Sequence, residues 1–220
     1  YLWHSGAPND EHYQAGYKEL LKRITNQCKE LGISSPIPVE IPKEEKLQLN
    51  KVTKDYVSQA YGDELLQLAS SHPEIVILDG DLAADCKIRP FDEKYPSRFV
   101  ENGIAEQDMV SMAGGIASMG LLPVVNTFSS FLASRANEQI YNNACEKTKI
   151  IYAGHYSGMI PAGPGKSHQS VRDISLFGAI PNMIIIQPAN PEEAHLAARY
   201  CVKEAKENCM LRLNIGPSPR

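Results

Sequence analysis

From residue 51 onward, short apolar runs alternate with longer stretches in which apolar residues recur every three or four positions. The runs predict strands over 75–79, 98–101, 122–126, 149–154, 183–188 and 209–214. The stretch 121–125 is continuously apolar, the mark of a strand covered on both faces. Helices are predicted before the first strand and between several of the others. One spans 53–71, with Val57, Ala60, Tyr61, Leu65, Leu68 and Ala69 on one face, and others span 106–119, 130–147 and 191–206. Short apolar strands alternating with helices give an α/β class: three layers, α/β/α, around a mostly parallel twisted sheet. Such sheets bind ligands at the carboxyl ends of their strands.

The first 50 residues follow another pattern. Asn9 or Asp10 caps a helix with Tyr13, Tyr17, Leu20, Leu21, Ile24 and Leu31 to one side, and Gly32 ends it. Pro36, Pro38 and Pro42 then exclude helix and central strand. Residues 1–50 are expected to be a helical arm and proline-rich linker in front of a domain at 51–220.

Composition narrows the function classes. A chain of 220 residues can bury roughly 70–75% of its unfolded surface. A formal charge of −4 leaves no basic footprint for nucleic acid. No apolar run approaches the roughly 20 residues of a membrane helix, so no membrane partner is expected. Five cysteines without a CxxC pattern read as reduced thiols, and a cytoplasmic location is expected. The start at Tyr1 suggests a piece of something longer.

The richest stretch is 98–135, RFVENGIAEQDMVSMAGGIASMGLLPVVNTFSSFLASR. Glu106 stands at a helix start, and Ala113, Gly114, Gly115, Ala117 and Ser118 would let that helix lie close against a neighbour. Phe128 and Phe131 follow the 121–125 strand, so parallel strands would bring the carboxylate and the rings to one pocket. Taken alone, Glu106 reads as a solvated first-turn glutamate stabilised by the helix dipole, and the phenylalanines as core aromatics. The GKS at 165–167 is not a phosphate-binding P-loop, because position 160 is Ile where that motif needs glycine. Asp79-Gly80-Asp81 lacks the remaining ligands of a calcium loop and reads as turn and scaffold.

GIAEQ, the small-residue helix, the PVV strand and TF..F together resemble the pyrimidine-binding domain of transketolase-like thiamine diphosphate enzymes, over about residues 51–220. Transketolases, deoxyxylulose-phosphate synthases and the beta subunits of 2-oxo-acid dehydrogenases share that domain. The resemblance implies that Glu106 hydrogen-bonds N1′ of the cofactor's aminopyrimidine and favours the imino tautomer that deprotonates the thiazolium. For this the carboxyl must be buried, since desolvation disfavours the charged form. It further implies that Phe131 stacks on the pyrimidine and that Phe128 and Ile104 line the same pocket. His168, in SHQ, would address the substrate near the reacting carbon. His155, Arg212 and Arg89 would contact its phosphate, although each also reads as a loop histidine or a salt-bridge arginine. His4, in HSGAP, resembles a catalytic histidine at the end of the preceding module.

Two departures stand out. The family's loop aspartate falls at Pro164, and the metal-binding GDG…N motif is absent. No metal ligands are therefore assigned here, and Mg2+ and the diphosphate would belong to a pyrophosphate-binding module or subunit, in a homodimer or heterotetramer. The activity implied is transfer of a two-carbon ketol unit between sugars or sugar phosphates, with the isolated chain inactive. The alternatives are synthase-like or 2-oxo-acid-decarboxylating thiamine chemistry, and a non-catalytic assembly module.

Overall fold

The computed structural model describes residues 9–33, 56–159, 165–216 and 218. The chain divides into two compact units, Tyr1–Asn50 and Lys51–Arg220. His4, the 36–42 prolines and Pro164 lie outside the described residues.

In the first unit, helix α1 (Asp10–Glu30) begins at Asn9, whose side chain accepts from the His12 amide at 2.9 Å. Acidic Asp10 and Glu11 occupy the first turn, where the helix dipole favours negative charge. At the other end Gly32 adopts φ +68°, and the amides of Gly32 and Ile33 bond back to Lys29 and Cys28. This closing motif favours glycine because only glycine enters that conformation without strain. No residue of α1 is buried.

The second unit holds six strands in the order β2-β1-β3-β4-β6-β5, every neighbouring pair parallel. They are β1 (Ile75–Asp79), β2 (Phe99–Glu101), β3 (Leu122–Phe128), β4 (Ile151–His155), β5 (Met183–Ile186) and β6 (Asn208–Leu213). The helices are α2 (Val57–Leu68), α3 (Arg89–Lys94), α4 (Glu106–Ser118), α5 (Ser129–Arg135), α6 (Asn137–Cys145), α7 (Asp173–Gly178) and α8 (Pro191–Lys203). One face of the sheet is covered by α2, α3 and α8, with Tyr61, Leu65, Phe91 and Cys201 in its core. The other is covered by α4 to α7, with Met109, Leu132, Ile140 and Phe177. The three-layer α/β class expected from the apolar pattern is what the chain forms.

Boundaries differ where the sequence carries no punctuation. The predicted 130–147 helix is two helices meeting at Ala136 (φ −106°, ψ 13°). No Gly or Pro marks the break. It lets α5 lie on β4 and α7 while α6 packs on α4. Two short helices, α3 and α7, were not predicted, being too short for a 3.6-residue period to register. The helix predicted over 53–71 is described as Val57–Leu68. The close packing predicted for the small-residue helix is present at Gly114, where a Cβ would come within 2.2 Å of Asn143 Oδ1.

After β1 the chain adds β2 on one side, then returns to place β3 on the other. That reversal opens a crevice at the carboxyl ends of β1 and β3, where open α/β sheets take their ligands.

Candidate functional site

Glu106 is the first residue of α4, directly beyond β2 and the Gly103 turn (φ +68°). It is 5% exposed. Its Oε1 accepts from Arg135 Nη1 at 2.7 Å, and Oε2 has no hydrogen bond among the described residues. Arg135 sits on α5, four residues after Phe131, so both lie on one helix face. Its guanidinium carbon stands 3.8 Å over the Phe131 ring centroid. One side chain thus touches both the carboxylate and the aromatic.

The rings continue from there. Phe131 meets His168 edge-on at 5.1 Å between centroids, Phe128 lies 5.3 Å from Phe131 and 5.6 Å from His168, and Tyr156 stacks on Phe128 at 4.2 Å. These spacings fall in the range of favourable aromatic pairs. Phe128 closes β3, Phe131 belongs to α5, and Tyr156 and His168 come from the segments after β4. Ser167 Oγ pairs with His168 Nδ1 at 2.9 Å, which orients the ring. Tyr156 holds a left-handed backbone (φ 55°) and donates its hydroxyl to Asp85 at 3.2 Å. Burial, with the Asp85 charge added, pushes its phenol up to about 12.

Of the buried side-chain polar atoms without partners among the described residues, five lie at or just past these strand ends: Asp79 Oδ1, Thr127 Oγ1, Ser130 Oγ and both ring nitrogens of His155. Native interiors satisfy most such groups, and each exception calls for a reason such as a bound water or ion, strain or a catalytic role. Asp79 Oδ2 accepts from the Leu82 amide at 2.8 Å. Burial raises the Asp79 carboxyl to about 7 against that bond, and the Glu101 charge adds to the rise.

Other site residues expected from sequence are buried in the core, set among carboxylates or exposed. His155 is fully buried, edge-on to Tyr61 at 5.5 Å. Burial, helped by Lys87, lowers its imidazole to about 3. It reaches no solvent-facing substrate here. Its ring protons should therefore show no titration between pH 8 and 5 by NMR, while a solvent-exposed histidine titrates near 6.5. A His155 midpoint above pH 5 would show that the ring is open to water.

Arg212 is 6% exposed and its fork is taken. Nε and Nη2 donate to Asp173 at 2.8 and 3.1 Å, and Nη1 donates to Gln187. The expected phosphate contact is in this structure a buried ion pair. Arg89 lines a cavity of about 320 Å³ with Asp81, Asp85, Asp92 and Glu101, where an anion would meet four carboxylates. Ile104 is 74% exposed beside the Glu106 turn. His4 lies outside the described residues. Among the described residues no group of His, Cys, Asp and Glu could hold a metal ion.

Residues 55–215 match the family described as "Transketolase, pyrimidine binding domain". The chain belongs to this family. Domains of the transketolase family bind thiamine diphosphate. The chain is 35% identical over 152 residues to a 1-deoxy-D-xylulose-5-phosphate synthase of Clostridium acetobutylicum, covering 69% of this chain and 24% of that protein. It is 35% identical over 133 residues to a transketolase C-terminal section of Methanocaldococcus jannaschii, covering 60% of this chain and 42% of that one. It therefore spans about a quarter of the first relative and under half of the second. Among solved structures, a split-gene transketolase, an inactive beta4 tetramer, superposes with a TM-score of 0.67 at 30% identity, over 76% of this chain and 54% of that one. No helix among the described residues is long and apolar enough to cross a membrane.

Within this transketolase-type domain, sequence reasoning missed Arg135, Tyr156 and Asp173. The i, i+4 spacing of Phe131 and Arg135 was a usable signal for the first. Tyr156 stands two residues past the predicted strand end at 154. Asp173 looks like any first-turn acid until the fold sets it against Arg212.

Proposed function

We propose that this chain is the pyrimidine-binding half of a thiamine diphosphate-dependent enzyme that transfers a two-carbon ketol unit between sugars or sugar phosphates. The carrying observation is Glu106: buried, with one oxygen held by Arg135, the other without a hydrogen bond among the described residues, and linked through Arg135 to the Phe131 ring. This arrangement fits an aminopyrimidine, which offers a flat face for stacking and a ring nitrogen for a carboxyl group. When bound, thiamine diphosphate would supply the carbon acid that carries the two-carbon unit. Glu106 would hold and exchange the proton at the pyrimidine nitrogen through Oε2, while Arg135 fixes the carboxyl rotamer. Phe131, with one face under the guanidinium, would stack on the aminopyrimidine with the other. Phe128 and Tyr156 wall the site, and His168, oriented by Ser167, would hydrogen-bond the substrate.

The diphosphate and Mg2+ would be held by a pyrophosphate-binding module. Residues 1–50 would be the tail of such a module and its linker, and the assembly a cytoplasmic homodimer or heterotetramer. A split-gene relative that is inactive as a beta4 tetramer supports the view that this half is incomplete alone.

A second reading, synthase chemistry joining pyruvate to an aldose phosphate, is favoured by the 35% identity to deoxyxylulose-phosphate synthase and by Pro164 where the loop aspartate of sugar-binding transketolases would stand. The deciding experiment supplies the chain with a pyrophosphate-binding module, thiamine diphosphate and Mg2+. It then compares hydroxypyruvate plus ribose 5-phosphate with pyruvate plus glyceraldehyde 3-phosphate. Ketol transfer from hydroxypyruvate supports the first reading, and product only from pyruvate moves the function to the second. Robust turnover by the 220-residue chain alone would sink the claim that it is half a site.

A further inference from the structure

Residues of α5 and of the 166–173 segment, His168 apart, line a cavity of about 280 Å³. Its lining has a distinct chemistry. Lys166 and Arg172 are the cations, Ser130, Ser134, Ser167 and Ser170 supply hydroxyls, the last already donating to Ser129, and Asp173 is the one carboxylate. The Asp173 charge is already spent, because both oxygens accept from Arg212 and Oδ2 also accepts from Ser129 at 2.7 Å. What remains facing the cavity is cationic and hydrogen-bond-donating.

Two details show that the lining is arranged. Arg172 Nη2 donates to Ser134 Oγ at 2.8 Å, which orients the guanidinium and leaves the Ser134 proton free to donate. The Ser130 hydroxyl is buried, its residue 7% exposed, and it has no partner among the described residues. A buried hydroxyl left without an acceptor is costly, and a bound oxyanion would supply one.

We propose that this cavity is a subsite for a phosphate monoester, held by Arg172 and Lys166 with the hydroxyls of Ser130 and Ser134. Two cations match a group carrying about −1.5 to −2 charges with three acceptor oxygens. A guanidinium fork fits its geometry. The subsite uses other cations than the arginines first expected to bind phosphate, one of which is buried against Asp173 at the cavity wall and the other set among carboxylates. Ser167 ties its rim to His168, so a ligand anchored here would extend toward the ring cluster. The proposal deepens the ketol-transfer reading and rests on it only for the sugar end of the ligand.

The test is amide NMR on the 220-residue chain at constant ionic strength, titrated with inorganic phosphate, ribose 5-phosphate and ribose. The first two should give saturable shifts at Ser130, Ser134, Ser167 and Arg172, and ribose none. The double variant Lys166→Gln/Arg172→Gln should weaken phosphate at least tenfold, and Ser130→Ala several-fold, each with an otherwise native spectrum. Glu106→Gln should leave it unchanged, which separates this site from the pyrimidine pocket. Tighter binding of ribose 5-phosphate, with shifts reaching His168, would identify a substrate phosphate. Equal affinity confined to the cavity would identify a site for phosphate itself. Absence of saturable shifts, or shifts indifferent to the double variant, would overturn the subsite and leave the ketol-transfer reading standing. Loss of ketol transfer with these shifts intact would do the reverse.

Discussion

Glu106→Gln should lower cofactor-dependent turnover of the reconstituted enzyme by about 10²- to 10⁴-fold, the usual worth of a positioned acid–base group. Glutamine keeps the shape, and its amide oxygen can still accept from Arg135, so the pocket is retained. What it cannot do is exchange a proton. The effect should therefore fall on kcat, with cofactor affinity changing much less. The same substitution should hardly alter stability. Glu106 is buried, but Arg135 is 45% exposed, so solvent screens the pair and its loss costs about 0–1 kcal/mol. Arg135→Met should act through Glu106 and Phe131 and show a smaller loss of kcat. Unchanged kcat in Glu106→Gln would remove the carboxyl from the chemistry and leave the domain a scaffold.

How far this site was legible follows from how each residue carries its information. Glu106, Phe128, Phe131 and His168 stood in a recognisable pattern, and the fold links all four by contact, Glu106 through Arg135 and the others ring to ring. The strands were legible because buried parallel strands are continuously apolar: 75–79 was found to the residue, and the others to within a few. The break at Ala136 was not, since tertiary packing of α5 and α6 on different neighbours, rather than a Gly or Pro, makes it. His155 and Arg212 show the other limit. A sequence pattern can say that a histidine or an arginine ends a strand. Whether it faces a ligand or its own core depends on residues far along the chain, here Tyr61 for the first and Asp173 for the second.

That buried pair carries the largest stability effect expected. Asp173 is 1% exposed and Arg212 6%, and Ser129 adds a hydrogen bond to the same carboxylate. Asp173→Ala would leave the guanidinium buried with Gln187 as its remaining partner. Removing one member of such a pair costs about 3–5 kcal/mol, a large share of the roughly 5–15 kcal/mol that holds a domain folded. Urea unfolding at pH 7 should show it as a lower midpoint with an unchanged slope. Replacing both residues by apolar ones of similar volume should recover much of the loss, because the penalty lies in the stranded charge. The pH dependence has a definite sign. Burial alone would raise the Asp173 carboxyl, but the hydrogen bonds from Arg212 and Ser129 and the Arg212 charge outweigh it and hold the group below the usual carboxylate range. Its stabilisation is thus fully present above the unfolded value of about 3.9 and is lost as pH falls through the lower folded value. The stability gap between the wild type and Asp173→Ala should accordingly be constant from pH 7 to about 5 and narrow below about pH 4. A gap that widened on acidification would mean that the protonated acid is the form the fold prefers, and the ion pair would have to be given up.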